Sequence, residues 1–275
     1  MARNFFELAR GKWAQHKFLC VGLDSDLEKI PEHLRSSGTR EGIVAFNRGI
    51  VDATKDIVCA YKPNPAFYEA HGDEGWDALR ETIQYINDAA PEIPVILDGK
   101  RADIGNTNDA YAASAFDHLH ADALTTQPYP GYEALSAFFE REDKGIFVWC
   151  RSSNGGSGEL QDLTVNGEPL YIVVARMLSR KWNGRGNCGC IAGATYPEEL
   201  ARVREAVGDM PILVPGIGAQ GGDVEKTARA AADMKGAGMI ISSSRAVIFA
   251  SGGKDFAAAA RAKAQELHGA IMKAL

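Results

Sequence analysis

The sequence contains no long hydrophobic run, no basic tract and no paired-cysteine motif, and each absence removes a class of function. No stretch approaches the roughly 18 apolar residues of a membrane span. The start "MARNFFELARGKWAQHK" reads as a polar amphipathic helix without the continuous apolar region of a secretory signal. No run of five or more Lys/Arg occurs, and the formal net charge is −6, which argues against nucleic acid or an anionic membrane surface as partner. The five cysteines, Cys20, Cys59, Cys150, Cys188 and Cys190, are odd in number and form no CxxC pair. They read as reduced, buried thiols, and the "CGC" at 188–190 lacks the second Cys/His cluster that a metal site needs. No Pro/Ser-rich linker or low-complexity tract divides the chain, so residues 1–275 are expected to form one domain, located in the cytoplasm.

What is present is rhythm. Short apolar runs of strand length recur along the 275 residues: "FLCVGL", "IVCAY", "PVIL", "ALTT", "GIFVWC", "GCIAGA", "PILVP" and "GMIISS". Between them lie segments with apolar residues at helical spacing, such as "EGIVAFNRGIVDATKD", "GDEGWDALRETIQYINDAA", "NDAYAASAFDHLH" and "YPEELARVREAV". Eight βα units in a chain of this length predict an α/β fold, a (β/α)8 TIM barrel, preceded by an N-terminal helix and interrupted by an insertion at about 151–167. An open doubly wound sheet that bound a dinucleotide would carry GxGxxG after its first strand, and none follows "FLCVGL". The Gly-rich "PGIGAQGGD" instead follows the seventh run, where a barrel commonly binds phosphate.

Polar residues gather at the strand ends that form the catalytic mouth of such a barrel. "LDGKRADIGNT" places Asp98, Lys100 and Asp103 just beyond the third run, and residues two apart on a strand share a face, so Asp98 and Lys100 point together. The first run ends in Asp24, the second in Lys62, the fifth in Arg151, Ser152, Ser153 and Asn154, the seventh in a loop with Gln220, and the eighth in Arg245. Any one of these has a plain structural use as a cap, a turn or a surface charge. Their joint placement at one end does not. Gln220, glycine amides and Arg245 suit a phosphate dianion. Carboxylates flanking Lys100 favour its ammonium form, which makes it an acid and not a Schiff-base nucleophile.

With those residues in view, the chain resembles the orotidine 5′-phosphate decarboxylase family, in its longer bacterial class. The segments "VGLDSD", "AYKPNPAFYEAHG", "LDGKRADIGNT", "CRSSNGGS", "AGATYPEEL", "PGIGAQGGD" and "SSSR" carry the likeness from about Leu19 to Phe249. The resemblance implies a cofactor-free, metal-free homodimer that makes uridine 5′-phosphate. It implies that Lys100 protonates C6 of the pyrimidine, and that Lys62, Asp98, Lys100 and the Asp103 of the neighbouring subunit alternate in charge. Ile104 and Thr107 would cross the interface with Asp103. Asp24 and Lys62 are similar to the residues that hold the ribose hydroxyls, Ser153 to a serine at the pyrimidine, and Gln220 and Arg245 to the phosphate ligands.

Two positions depart from the family's pattern: Ala102 stands where glycine is usual, and Gly155 where proline is usual. The nearest rival is a metal-dependent sugar-phosphate enzyme of the same superfamily, in which a carboxylate occupies the position of Lys62; a cation there repels a metal. A non-catalytic phosphate-binding barrel is the other alternative, and it would be expected to lose the charged tetrad first.

Overall fold

All eight apolar runs become parallel strands of one sheet that curls back on itself. They are β1 (Leu19–Leu23), β2 (Ala60–Pro63), β3 (Ile96–Arg101), β4 (Ala123–Thr126), β5 (Gly145–Arg151), β6 (Cys188–Ala192), β7 (Ile212–Pro215) and β8 (Met239–Ser243). Hydrogen-bonded neighbours follow the order β2-β1-β8-β7-β6-β5-β4-β3. A parallel bridge between Tyr61 and Val95, with the Tyr61 N–H donating to the Pro94 carbonyl at 3.1 Å, joins β2 to β3 and completes the (β/α)8 barrel. The computed structural model describes residues 3–218 and 223–275.

Parallel strands are covered on both faces, which is why they read as unbroken apolar runs. Alternation then sorts their side chains. Leu19, Val21 and Leu23 of β1, and Ile146 and Val148 of β5, join the large core beneath the surrounding helices. Cys20, Ala60, Ile96, Ala123, Phe147, Ile191, Leu213 and Ile240 face the other way and form a second cluster with Phe5, Phe6 and Ala9. Those three residues belong to α1 (Phe5–Trp13), which closes the floor of the barrel. Asn4 caps this helix by accepting the Glu7 N–H at 3.1 Å. Phe5 packs edge-on against Phe147 with centroids 5.4 Å apart, and each buried phenylalanine stabilises by about 2 kcal/mol. Phe5→Ala would open the floor.

A fork of hydrogen bonds fastens the same end. Arg3 Nε and Nη2 each donate to a carboxylate oxygen of Asp122 at 2.8 Å, and Asp122 also accepts the Val95 N–H at 2.8 Å. The five cysteines are free and buried, as expected. Burial pushes the Cys20 thiol up to about 12, so it is inert.

Two segments differ from expectation. The helix expected over 108–120 begins at Gly105, and after Ala112 it widens into a π-turn over Ala113–His118. The insertion expected to be irregular contains a short helix, Gly158–Gln161, and a hairpin pairing Thr164–Val165 with Glu168–Pro169. Asn166 and Gly167 turn that hairpin with φ of 52° and 84°. Asn-Gly is the dipeptide preferred in such two-residue turns, a signal masked by the polar residues around it.

Candidate active site

The alternation that builds the floor also builds the mouth. Two residues beyond Ala60, Ile96, Ala123, Phe147 and Ile240, on the same face, stand Lys62, Asp98, Thr125, Trp149 and Ser242. Lys62, Asp98 and Ser242 line a cleft of about 140 Å³ together with Asp24, Pro215, Gly216, Ile217, Ser244 and Arg245. Strands β2, β3, β4 and β8 therefore run from an apolar floor to a polar mouth.

At the centre, Asp98 accepts from Lys62 Nζ through Oδ2 and from Lys100 Nζ through Oδ1, both at 2.7 Å. Lys62 is 4% exposed. Burial opposes its charge, but Asp98 and Asp24 outweigh burial and raise its pKa. Asp98 mirrors it: burial favours the neutral acid, yet Lys62 and Lys100 hold its pKa well below the usual carboxylate range. Such a pair keeps fixed charges inside a low-dielectric site.

The strand that delivers Asp98 and Lys100 is irregular. Pairing of β3 with β4 runs Ile96 to Ala123 and Leu97 to Leu124, then resumes only at Arg101 with Thr126. Within this bulge Lys100 takes a φ of 46°, rare for a residue with a side chain. Its ammonium lies 5.4 Å from the centre of the Trp149 ring, within cation–π range. Ala102 is not among the residues with positive φ, so a side chain costs nothing there.

Asp24 contributes a buried Oδ1 with no hydrogen-bond partner among the described residues. Its neighbours are pinned from both sides. Tyr68 donates its hydroxyl to the Leu23 carbonyl at 2.9 Å, and Ser25 donates to Asn47 Oδ1 at 2.6 Å. The Asn47 amide in turn donates to Tyr68 and Thr82 at 3.0 Å. Gly22 allows Ser244 to approach β1: a Cβ there would lie 1.8 Å from the Ser244 hydroxyl.

The remaining expected residues are more dispersed. Arg245 begins a short helix (Arg245–Ile248), is exposed and borders the cleft. Gln220 lies outside the described residues. Ser153 is half-buried, its carbonyl accepting from Thr195 at 3.2 Å. Asp103 is exposed and has no ion pair within the described residues; its Oδ1 accepts the Ile104 N–H at 2.7 Å. Ile104 is 68% exposed, and Thr107 is half-buried one turn further on. Arg151, one of the polar residues at the end of β5, is turned aside by an irregularity between Trp149 and Arg151. It pairs with Glu199 at 2.6 Å and with Asp162 at 3.0 Å, clamping the insertion onto the helix Pro197–Val207.

Thr125 is the site residue that sequence reasoning missed, because "ALTT" ends in no charge. Counting two residues on from the floor residue Ala123 finds it.

Comparison with known proteins agrees with this fold. Residues 17–262 match the model of the orotidine 5′-phosphate decarboxylase / HUMPS family. The chain is 51% identical over 248 residues to an orotidine 5′-phosphate decarboxylase of Herpetosiphon aurantiacus, covering 90% of each chain. Among solved structures it is similar to the Leishmania donovani OMP decarboxylase, with a TM-score of 0.83, 40% identity, and 98% and 99% of the two chains covered. It also resembles the Leishmania donovani UMP synthase, with a TM-score of 0.88 and 41% identity over 99% of this chain, while spanning 57% of that protein's length.

Proposed function

The chain belongs to the orotidine 5′-phosphate decarboxylase family, and from that premise we propose how its residues divide the work. The reaction is that of a carboxy-lyase of pyrimidine biosynthesis, converting orotidine 5′-phosphate to uridine 5′-phosphate and carbon dioxide. Breaking the bond between C6 and the carboxylate leaves an electron pair on a carbon that delocalises it poorly. Lys100 Nζ stabilises that charge and donates a proton to C6 as carbon dioxide departs, and the lysine recovers its proton from water. A fixed ammonium interacts more strongly with the developing carbanion than with the neutral ring, so it lowers the barrier more than it tightens ground-state binding.

The observation that carries this reading is the grip of Asp98 on Lys62 and Lys100, 2.7 Å to each, at the edge of the cleft. It orients Lys100 without help from substrate. Lys62 at the second strand end also counts against the metal-dependent relatives. Asp24 and Lys62 receive the ribose hydroxyls; the buried Oδ1 of Asp24, unpaired among the described residues, supports this, since an acceptor left without a donor is costly until a ligand supplies one. Ser153 meets the pyrimidine, and Gln220 and Arg245 bind the phosphate. Asp103, Ile104 and Thr107 serve the site of the partner subunit in a homodimer, a role supported by the exposure of Asp103 and Ile104. The enzyme acts in the cytoplasm, as five free cysteines suit a reducing compartment.

The test is loss of the orotate ultraviolet band when purified enzyme meets orotidine 5′-phosphate in excess EDTA, with Lys100→Ala as control. Rapid loss that the variant slows by about 10⁴-fold or more is expected. Activity on a sugar phosphate that appears only with added Mg²⁺ would contradict the roles given to Lys62 and Lys100.

A further inference from the structure

Thr125 is completely buried and sits where β3 leaves its ladder. Its hydroxyl donates to Asp98 Oδ1 at 2.9 Å and accepts the Lys100 N–H at 2.9 Å. The direction of both bonds is forced, because an N–H only donates and an ionised carboxylate only accepts. One hydroxyl proton therefore goes to Asp98, and a lone pair receives Lys100.

No residue between Leu97 and Arg101 is in register with β4, and within that gap the Lys100 N–H donates to the Thr125 hydroxyl. It holds the backbone of the lysine, while Asp98, which it also holds, takes the ammonium at 2.7 Å. A closed ring results: Lys100 N–H to Thr125, Thr125 to Asp98, Asp98 to Lys100 Nζ. The branched Cβ of threonine restricts rotation and fixes where its hydroxyl points.

We infer that Thr125 is a positioning residue for the decarboxylation, maintaining Lys100 in its left-handed backbone conformation and aiming its ammonium through Asp98. The inference rests on the reading of Lys100 as proton donor. Thr125 is buried and touches the site only through Asp98 and the Lys100 backbone, so its effect is expected in turnover more than in substrate capture.

Thr125→Val retains the branched shape and removes both bonds, whereas Thr125→Ser retains the hydroxyl. Misplacement of a reacting group by about 1 Å costs on the order of 10²-fold in rate. Thr125→Val is accordingly expected to lose about 10²-fold in kcat with KM changed less than about twofold, and Thr125→Ser to return within about tenfold of wild type. Wild-type kcat in Thr125→Val, alongside an inactive Lys100→Ala, would overturn the role of Thr125 and leave that of Lys100. So would equal impairment of the serine and valine variants, since packing alone would then explain the loss. Normal turnover by Lys100→Ala would remove the proton donor and this inference with it.

Discussion

Asp122 and Asp98 are aspartates gripped by cations at opposite ends of the same barrel. Asp122, at the floor, takes two bonds from Arg3 and one from the Val95 N–H. Asp98, at the mouth, takes one each from Lys62, Lys100 and Thr125. At the floor the surroundings are apolar and finished: α1 fills the barrel with Phe5 and Phe6. At the mouth they are unfinished, with an Asp24 carboxylate oxygen unpaired among the described residues, Lys100 at a φ of 46° and an open cleft alongside. Similar ion-pair chemistry thus serves cohesion at one end and, on the reading proposed above, reaction at the other. What differs is whether the cation is consumed by the fold or left facing a ligand.

On the proposed reading a second copy completes the mouth, whereas the floor needs none. Lys100→Ala is expected to lose about 10⁴-fold or more alone and Asp103→Ala about 10³-fold. Mixed and allowed to exchange, they should recover about a quarter of the wild-type rate, because half of the dimers are then mixed and each holds one intact site of two. No recovery, with exchange demonstrated, would return Asp103 to its own chain.

The pH response sharpens the contrast next. The depressed pKa of Asp98 contributes stability that is present above the ordinary carboxylate value of about 4 and lost as pH falls through its folded value. The raised pKa of Lys62 contributes stability that is present below about 10.4 and lost as pH rises through its folded value. Between those limits neither group changes charge. Lys62→Met leaves Asp98 buried with one cation fewer, so the acid limb of the melting temperature should move to higher pH. An unmoved limb would mean that Lys62 is not what holds Asp98 ionised.

The smallest effect concerns the loop beyond β5. A Cβ on Gly155 meets open space, and Asn154, at φ −80° and ψ 153°, already has the extended shape that a following proline requires. The turn there is closed by Ser157 donating to Asn154 at 3.1 Å, so the N–H that proline lacks is not the one used. Gly155→Pro should stabilise by about 0.5 kcal/mol in chemical denaturation, by restricting the unfolded chain. Destabilisation would show that the loop needs glycine.

The fold was legible because a parallel sheet buried on both faces writes itself as apolar runs, and all eight become strands. Lys62, Asp98 and Lys100 were legible as charges placed where such runs stop. Thr125 was not, being uncharged, although it shares the inward face of Ala123. Arg151 looked like a member of the same polar ring; a one-residue irregularity after Trp149, which no composition announces, sends it to Glu199 instead. Asp103 was legible as a charge, but among the described residues its carboxylate has no cation and accepts only the Ile104 N–H.

The most direct test measures kcat and unfolding free energy together for Lys100→Ala and Arg3→Ala. Lys100 is a third exposed and its removal leaves Lys62 on Asp98, so turnover should collapse while stability changes by less than about 1 kcal/mol. Removing Arg3 strands a fully buried carboxylate, so stability should fall by about 3 kcal/mol while kcat of the folded enzyme stays near wild type. Turnover surviving in Lys100→Ala, or collapsing in folded Arg3→Ala, would contradict the division of the barrel into a reactive mouth and a cohesive floor.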